Sequence, residues 1–125
     1  MLGLLFLCGL TDVHGGTVTI YNMYANNLDG DPFGNPPDPY VKVWCGGTFG
    51  GQTEFIKDTK NPTWSATFYF PHKKLDDLLK LEVWDKDLNY DDLLGTCTTY
   101  IRLGANPMMC GVRKGNMYYT VTYTP

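Results

Sequence analysis

The chain has 125 residues with 10 basic and 13 acidic side chains, giving a formal net charge of −3 at pH 7. This length fits one domain with an ordinary core, and a hydrophobic share of 43% argues against wholesale disorder. The sequence has no block rich in Lys and Arg, which argues against nucleic acid as a partner, and no apolar run of about 18 residues that could span a membrane.

The first ten residues (MLGLLFLCGL) are apolar and are followed shortly by two glycines. This pattern is typical of the hydrophobic part of a secretory signal that is cut after His14 or Gly15, so we expect a secreted protein. The positive charge that usually opens such a signal is missing, and the apolar run is short. Residues 1–15 are therefore expected to be a signal or an N-terminal stub, and residues 16–125 to form the domain.

Beyond this segment, short runs rich in β-branched and aromatic residues alternate with turns of Gly, Pro, Asn and Asp. In chain order, the predicted strands are residues 17–24, 40–45, 53–57, 64–70, 79–84, 96–101, 108–112 and 117–123. Only residues 72–79 (HKKLDDLL) could form a helical turn, which is too little for an α/β fold. The pattern predicts an all-β protein, an antiparallel β-sandwich of eight strands.

The four cysteines are Cys8, Cys45, Cys97 and Cys110, and four cysteines allow three pairings. If Cys8 leaves with a signal, Cys45 is left single. Cys97 and Cys110 flank one loop, and we expect a disulfide between them. Two buried free thiols are the alternative.

Most of the acidic residues lie in two loops, residues 28–40 and 83–95, each of which leaves the end of a predicted strand. The loop carboxylates belong to Asp29, Asp31, Asp38, Asp85, Asp87, Asp91 and Asp92. If both loops lie at the same end of the sandwich, their like charges repel strongly unless a cation neutralises them. Ca²⁺ suits such a site because it takes about six to eight oxygen ligands, whereas zinc would need His or Cys, which these loops lack.

These aspartates admit two other interpretations. Asp85, Asp87 and Asn89 have the spacing that opens an EF-hand loop, but Tyr90 stands where that loop needs Gly and Thr96 where it needs Glu. The flanking residues are also strand-like, so the EF-hand is rejected. Asp is common in turns because its side chain caps its own backbone, and this remains the alternative for any single aspartate.

Three motifs, in this order along the chain, resemble the C2 domain family. Residues 38–43 (DPYVKV) are similar to the segment that follows the family's first calcium loop, and residues 61–64 (NPTW) to the turn before the next sheet segment. Residues 83–87 (VWDKD) with 92–95 (DLLG) are similar to the third loop and the strand after it. The resemblance covers roughly residues 16–124 and is greatest to the perforin branch of the family, through the third-loop motif, the cysteine spacing and the final strand.

This resemblance implies a Greek-key sandwich of type II topology whose calcium ligands come from the first and third loops. The positions that match the family's metal ligands are Asp31, Asp38, Asp85, Asp87 and Asp92, with Asp91 as a further ligand. The first loop is one residue longer than the family pattern between its two aspartates, and the third is one residue shorter. Whether Asp29 or Asp31 is the first ligand therefore stays open.

The resemblance also implies calcium-dependent docking on phospholipid headgroups. We expect the protein to be a monomer. Apolar residues stand at the tips of both loops, where insertion into a bilayer interface would bury them. We expect Phe33, Leu88 and Tyr90 to contact the membrane. Ordinary packing between the loops is the alternative for each of them.

An enzyme is the first rival class, and the sequence argues against it. His14 and His72 are its two histidines, and it contains no Gly-x-Ser-x-Gly elbow, no HExxH motif and no glycine-rich phosphate loop. Calcium-dependent binding of a glycan or a protein partner is the stronger alternative. A structural module that calcium merely stabilises is the third.

Overall fold

The structure is a computed structural model that describes residues 15–125. The described residues form nine β-strands and no helix, so they contain no helix that could cross a membrane. The strands are β1 (Gly16–Asn26), β2 (Pro39–Cys45), β3 (Thr48–Gln52), β4 (Thr63–Trp64), β5 (Phe68–Lys73), β6 (Leu78–Asp85), β7 (Asp92–Tyr100), β8 (Gly104–Val112) and β9 (Gly115–Thr124). The expectation of a signal, and the fate of Cys8, concern residues that lie outside this range.

The strands form two antiparallel sheets that pack face to face, as the sequence predicts. In the first sheet, β4 and β5 pair with β1, which is followed by β9 and β8, and the second sheet has the order β3-β2-β6-β7. The predicted strand at residues 64–70 is interrupted at 65–67, so that β4 and β5 are two pieces along the same edge of β1. Eight predicted strands thus become nine segments, and the predicted all-β sandwich is confirmed.

Two local predictions are wrong. The third strand is β3 and not residues 53–57. Beyond β3 the chain still runs beside β2, but regular strand pairing stops there. The Val41 amide donates to the Thr53 hydroxyl at 3.0 Å instead of to a backbone carbonyl. Residues 72–79 form no helical turn. The carboxylate of Asp77 accepts from the Lys74 amide at 2.9 Å and caps a tight turn between β5 and β6.

The core lies between the inner faces of the two sheets and follows the period-two pattern of the strands. Its fully buried side chains include Val18 and Ile20 of β1, Val41 and Val43 of β2, and Leu81 of β6. The indole of the buried Trp64 also donates to the carbonyl of Pro39 at 3.2 Å, which ties the short β4 to the start of β2. This contact fixes the chain next to the first acidic loop.

A disulfide joins Cys97 of β7 to Cys110 of β8, with their Cα atoms 5.9 Å apart. Because β7 belongs to the second sheet and β8 to the first, the bond links the edges of the two sheets. Cys45 is a buried free thiol, and burial raises its pKa to about 11.

The order of the strands places the acidic loops and the described ends of the chain at opposite ends of the sandwich. At one end, Thr17 pairs with Thr124, so β1 begins where β9 finishes. At the other end, β1 runs into residues 27–38 and β6 into residues 86–91. Both acidic loops therefore leave the same end of the molecule.

Candidate functional site

The two acidic loops are held side by side by the pairing of β2 with β6. Pro39, the first residue of β2, lies opposite Asp85, the last residue of β6. Next to this pair, the Asp38 amide donates to the Asp85 carboxylate at 2.8 Å, and the Lys86 amide donates to the Asp38 carbonyl at 2.9 Å. Backbone pairing thus sets the distance between Asp38 of the first acidic loop and Asp85 of the third.

A third connection, residues 53–62, completes this end of the sandwich. The amide of Asp58 donates to the Asp38 carboxylate at 2.7 Å, and the amide of Thr59 donates to the carbonyl of Pro37 at 2.9 Å. Farther along, the Leu28 amide donates to the Lys60 carbonyl at 3.0 Å. The carboxylate of Asp38 is therefore held between neighbouring loops.

Asp85 lies among three further carboxylates. Burial raises its pKa above the ordinary value, the amide of Asp38 opposes this shift, and the negative charges of Asp38, Asp92 and Asp87 raise the pKa further. Mutual repulsion of this kind is relieved by a cation, and a set of oxygen ligands alone suits Ca²⁺. The chemistry of these four aspartates therefore fits a calcium ion.

The remaining predicted ligands, Asp31 and Asp91, accept hydrogen bonds from nearby protein groups. The Asp31 carboxylate accepts from the amides of Phe33 and Asn35 and from the Asn35 side chain, so it caps its own loop. These hydrogen bonds, that of the Asn35 side chain above all, lower the Asp31 pKa. Asp29, the other candidate for the first ligand, lies 3.9 Å from the ammonium of Lys114.

Asp91 is held by a residue that sequence reasoning missed. The hydroxyl of Tyr40 donates to its carboxylate, which also accepts from the Asp87 amide at 2.9 Å. The Tyr40 hydrogen bond is the main reason that the Asp91 pKa is lowered, while burial and this bond together raise the pKa of Tyr40. Alternation along β2 places Tyr40 on the face opposite Val41, and nothing in the sequence pairs it with a loop residue.

In residues 15–125, no group of three or more His, Cys, Asp and Glu side chains is arranged so that it could hold a metal ion. The structure thus brings Asp38, Asp85, Asp87 and Asp92 into electrostatic contact without assembling them into a coordination sphere.

Three large apolar side chains project from the tips of the acidic loops. Phe33 is 90% exposed, Leu88 is 99% exposed and Tyr90 is 83% exposed. Such exposure is inconsistent with packing between the loops, which was the alternative for each of them. Apolar groups so fully hydrated on a charged loop end form a surface suited to an apolar partner.

A model of the C2 domain matches residues 16–110 of the chain. Human Perforin-1 is 37% identical over 101 residues, which are 76% of this chain and 17% of that protein. The Calcium-dependent lipid-binding protein of Arabidopsis thaliana is 29% identical over 100 residues, which are 79% of this chain and 19% of that protein. The chain therefore spans less than a fifth of the length of these curated relatives.

Solved structures agree with this match. A structure described as that of a C2 domain superposes with a TM-score of 0.85 at 32% sequence identity, covering 88% of this chain and 99% of that one. A calcium-bound structure of two C2 domains of Extended-Synaptotagmin 2 superposes with a TM-score of 0.75 at 23% identity, covering 89% of this chain and 46% of that one. The second likeness concerns the fold alone.

Proposed function

The chain belongs to the C2 domain family, and from that premise we propose that it is a binding module that docks on phospholipid membranes when its acidic loops bind calcium. The observation that carries this proposal is the position of Asp85 among Asp38, Asp87 and Asp92, on loops that also carry three exposed apolar tips. The similarity to a protein described as calcium-dependent and lipid-binding supports it. The proposal assigns no catalytic step to the chain.

The residues that would hold calcium are four neighbouring aspartates of the first and third loops: Asp38, Asp85, Asp87 and Asp92. Asp38 and Asp85 are the best prepared, since the pairing of β2 with β6 fixes their backbones and the Asp58 amide holds one carboxylate oxygen of Asp38. Asp31 and Asp91 are proposed as further ligands. Their carboxylates would have to share or give up the hydrogen bonds that they now accept.

Without a cation, the aspartates give this end of the molecule a negative field that repels an anionic bilayer. A calcium ion held by Asp38, Asp85, Asp87 and Asp92 would supply positive charge that attracts the phosphate oxygens of lipid headgroups. The carboxylates would have to turn toward the ion, while the backbone hydrogen bond from Lys86 to Asp38 keeps the two loops together.

The exposed tips would add a hydrophobic contribution to this docking. Burial of Phe33, Leu88 or Tyr90 in the bilayer interface would contribute about 1–3 kcal/mol each. We propose that the protein acts as a secreted monomer that associates with the membrane surface peripherally.

Co-sedimentation with liposomes tests the proposal. Vesicles of phosphatidylcholine, with and without phosphatidylserine, are pelleted with the protein in calcium and again in EGTA. We expect the protein in the pellet with calcium and in the supernatant with EGTA. Folded protein that stays in the supernatant in both conditions would contradict membrane docking and favour a glycan or protein ligand.

Paired variants connect this result to the site. Asp85→Asn with Asp87→Asn should abolish calcium binding in a calorimetric titration and leave the protein in the supernatant. The matched control is Asp76→Asn, an exposed aspartate in the turn at the opposite end of the sandwich, which should pellet like the unaltered protein. An unchanged calcium titration in the double variant would refute the assignment of the ligands.

A further inference from the structure

A groove of about 570 Å³ lies on the first sheet, away from the acidic loops. It is lined by residues of β1, β4, β8 and β9 and by the interruption between β4 and β5. Its volume is within the range of small-molecule sites, which is about 300–1,000 Å³.

The groove is built around an irregularity in β1. The pairing of β1 with β9 shifts its register between Tyr21 and Tyr24, and Asn22 within the shift has a φ of +53°. This left-handed conformation is uncommon for a residue other than glycine, although asparagine tolerates it better than most. Bulges of this kind redirect side chains and recur beside binding sites.

The redirected strand presents an aromatic platform. The rings of Tyr24 and Tyr118 stack with their centroids 4.7 Å apart and their planes 10° from parallel, and Tyr24 remains 45% exposed. The neighbouring Tyr21 ring is oriented by the Thr122 hydroxyl, which donates to the Tyr21 hydroxyl at 3.4 Å. Part of a flat apolar surface is thus available to a ligand.

The groove lining is mainly apolar and aromatic, it includes several hydroxyl and amide groups, and it carries no charge. None of the twelve lining residues is Asp, Glu, Lys, Arg or His, and beside the tyrosines they include Asn22, Thr63 and Thr120. A phosphate, a carboxylate or a cationic ligand would find no countercharge there, so the complementary ligand is neutral. The lining calls for a ligand that combines a flat apolar face with many hydroxyl groups.

We infer that this groove binds a neutral oligosaccharide, with one sugar ring stacked on Tyr24. One face of a pyranose ring consists of C–H groups, which pack on an aromatic ring, while its hydroxyls exchange hydrogen bonds with amide and hydroxyl side chains. Asn22, Thr63 and Thr120 supply such groups around the platform.

A proline-rich peptide is the other neutral ligand that favours grooves lined by aromatic residues. Such peptides seat their prolines between aromatic side chains, whereas the Tyr24 and Tyr118 rings lie against each other, so that no space for a proline remains between them and only their outer faces are free. The stacked arrangement therefore favours a sugar ring. Because no lining residue belongs to the proposed calcium ligands or to the exposed tips, the inference does not rest on the proposed function.

The experiment uses the full chain in EGTA, so that calcium-dependent binding at the loops cannot contribute. Lactose, maltotriose, mannotriose, cellotriose and N-acetylated chitotriose are each added to the unlabelled protein for saturation-transfer NMR and to the ¹⁵N-labelled protein for chemical-shift mapping. We expect at least one sugar to receive saturation and to shift the backbone amides of Asn22 and Thr120. A proline-rich decapeptide is titrated in the same way.

Variants then test the contacts. Tyr24→Ala should weaken binding about tenfold, because it removes the exposed ring of the platform. Asn22→Gly should also weaken it, since glycine keeps the left-handed backbone and removes the amide side chain. The control is Tyr69→Ala in β5, an exposed tyrosine outside the groove lining, which should leave the affinity unchanged.

Four results would overturn the inference. The first two are that none of the five sugars binds, or that sugars shift amide signals of the acidic loops alone. The other two are that Tyr24→Ala leaves the affinity for the sugar unchanged, or that the peptide shifts the amide signals of Asn22 and Thr120 and no sugar does. The chemical-shift map of the unaltered protein distinguishes the other three outcomes from sugar binding in the groove even if Tyr24→Ala fails to fold.

Discussion

At the scale of single residues, the hydrogen bond from Tyr40 to Asp91 links the β2 strand to the third loop. Tyr40 is buried, and its hydroxyl reaches a carboxylate that also caps the Asp87 amide. The bond therefore orders the loop around residues 87–91 before any ion arrives. Its contribution is expected to be that of a charge-assisted hydrogen bond.

Tyr40→Phe should lower the free energy of unfolding by about 1.5–3 kcal/mol at neutral pH in EGTA, measured by urea denaturation. Because the bond lowers the Asp91 pKa, its stabilisation is present above the ordinary value of 3.8 and is lost as the pH falls through the lowered folded-state pKa. The difference between Tyr40→Phe and the unaltered protein should thus shrink in strong acid. If the difference in free energy of unfolding between the two proteins stayed constant as the pH fell below the lowered Asp91 pKa, this role of the bond would be contradicted.

Cys45 provides a second prediction at this scale. Burial raises its thiol pKa to about 11, so that little reactive thiolate forms near pH 8, and the side chain is closed to solvent. We expect iodoacetamide to leave Cys45 unmodified in the native protein and to alkylate it rapidly in urea, as measured by mass spectrometry. Rapid native alkylation would show that the β2 end opens frequently.

At the scale of loops and strands, the exposed tips of the acidic loops separate lipid contact from calcium binding. Phe33 makes a backbone contact with Asp31 but its side chain is almost wholly exposed. Its ring is therefore free to enter a bilayer without disturbing a carboxylate.

Phe33→Ala should weaken calcium-dependent binding to phosphatidylserine vesicles about tenfold while the calcium affinity in the absence of lipid stays unchanged. Leu75→Ala is the matched control, because Leu75 is an exposed leucine in the turn at the opposite end. Should calcium affinity fall as much as vesicle affinity, Phe33 would have to be reassigned from membrane contact to support of the loop.

The disulfide acts between elements, since it joins edge strands of different sheets and encloses residues 98–109. Replacing both Cys97 and Cys110 by Ala should lower the free energy of unfolding by about 2–4 kcal/mol, because the unfolded chain gains freedom. Thermal denaturation with and without the substitutions measures this loss. Vesicle binding at low temperature should persist, because the bond lies in neither acidic loop.

Most of the element pattern could be predicted because strands with one buried face alternate strictly, as 79–84 does in β6. The position of β3 could not, since its exposed residues show no alternation and its pairing depends on β2. Likewise, residues 72–79 could form a helical turn judged by sequence alone, yet the carboxylate of Asp77 closes a tight turn there. Tertiary pairing decided both cases.

At the scale of the whole molecule, the sequence motifs predicted the family and the sandwich, and the match to the C2 domain confirms both. The motifs did not predict the hydrogen-bond partner of each carboxylate. Asp31 accepts a hydrogen bond from the Asn35 side chain, and Asp91 accepts one from the Tyr40 hydroxyl. Both bonds depend on side-chain orientations that the motifs do not encode. The groove beside Tyr24 was likewise hidden, because it arises from a register shift between strands far apart in sequence.

The pairing of Thr17 with Thr124 has a practical consequence for measuring orientation. The 11 residues of β1 span about 36 Å at roughly 3.3 Å per residue, so a label at Pro125 stands about that far from the acidic loops. If those loops meet the bilayer, a C-terminal fluorophore should transfer energy weakly to an acceptor in the lipid headgroups, whereas one attached near the loops should transfer it strongly. A protein tethered to a sensor by its C-terminus would, for the same reason, present its loops to the vesicles.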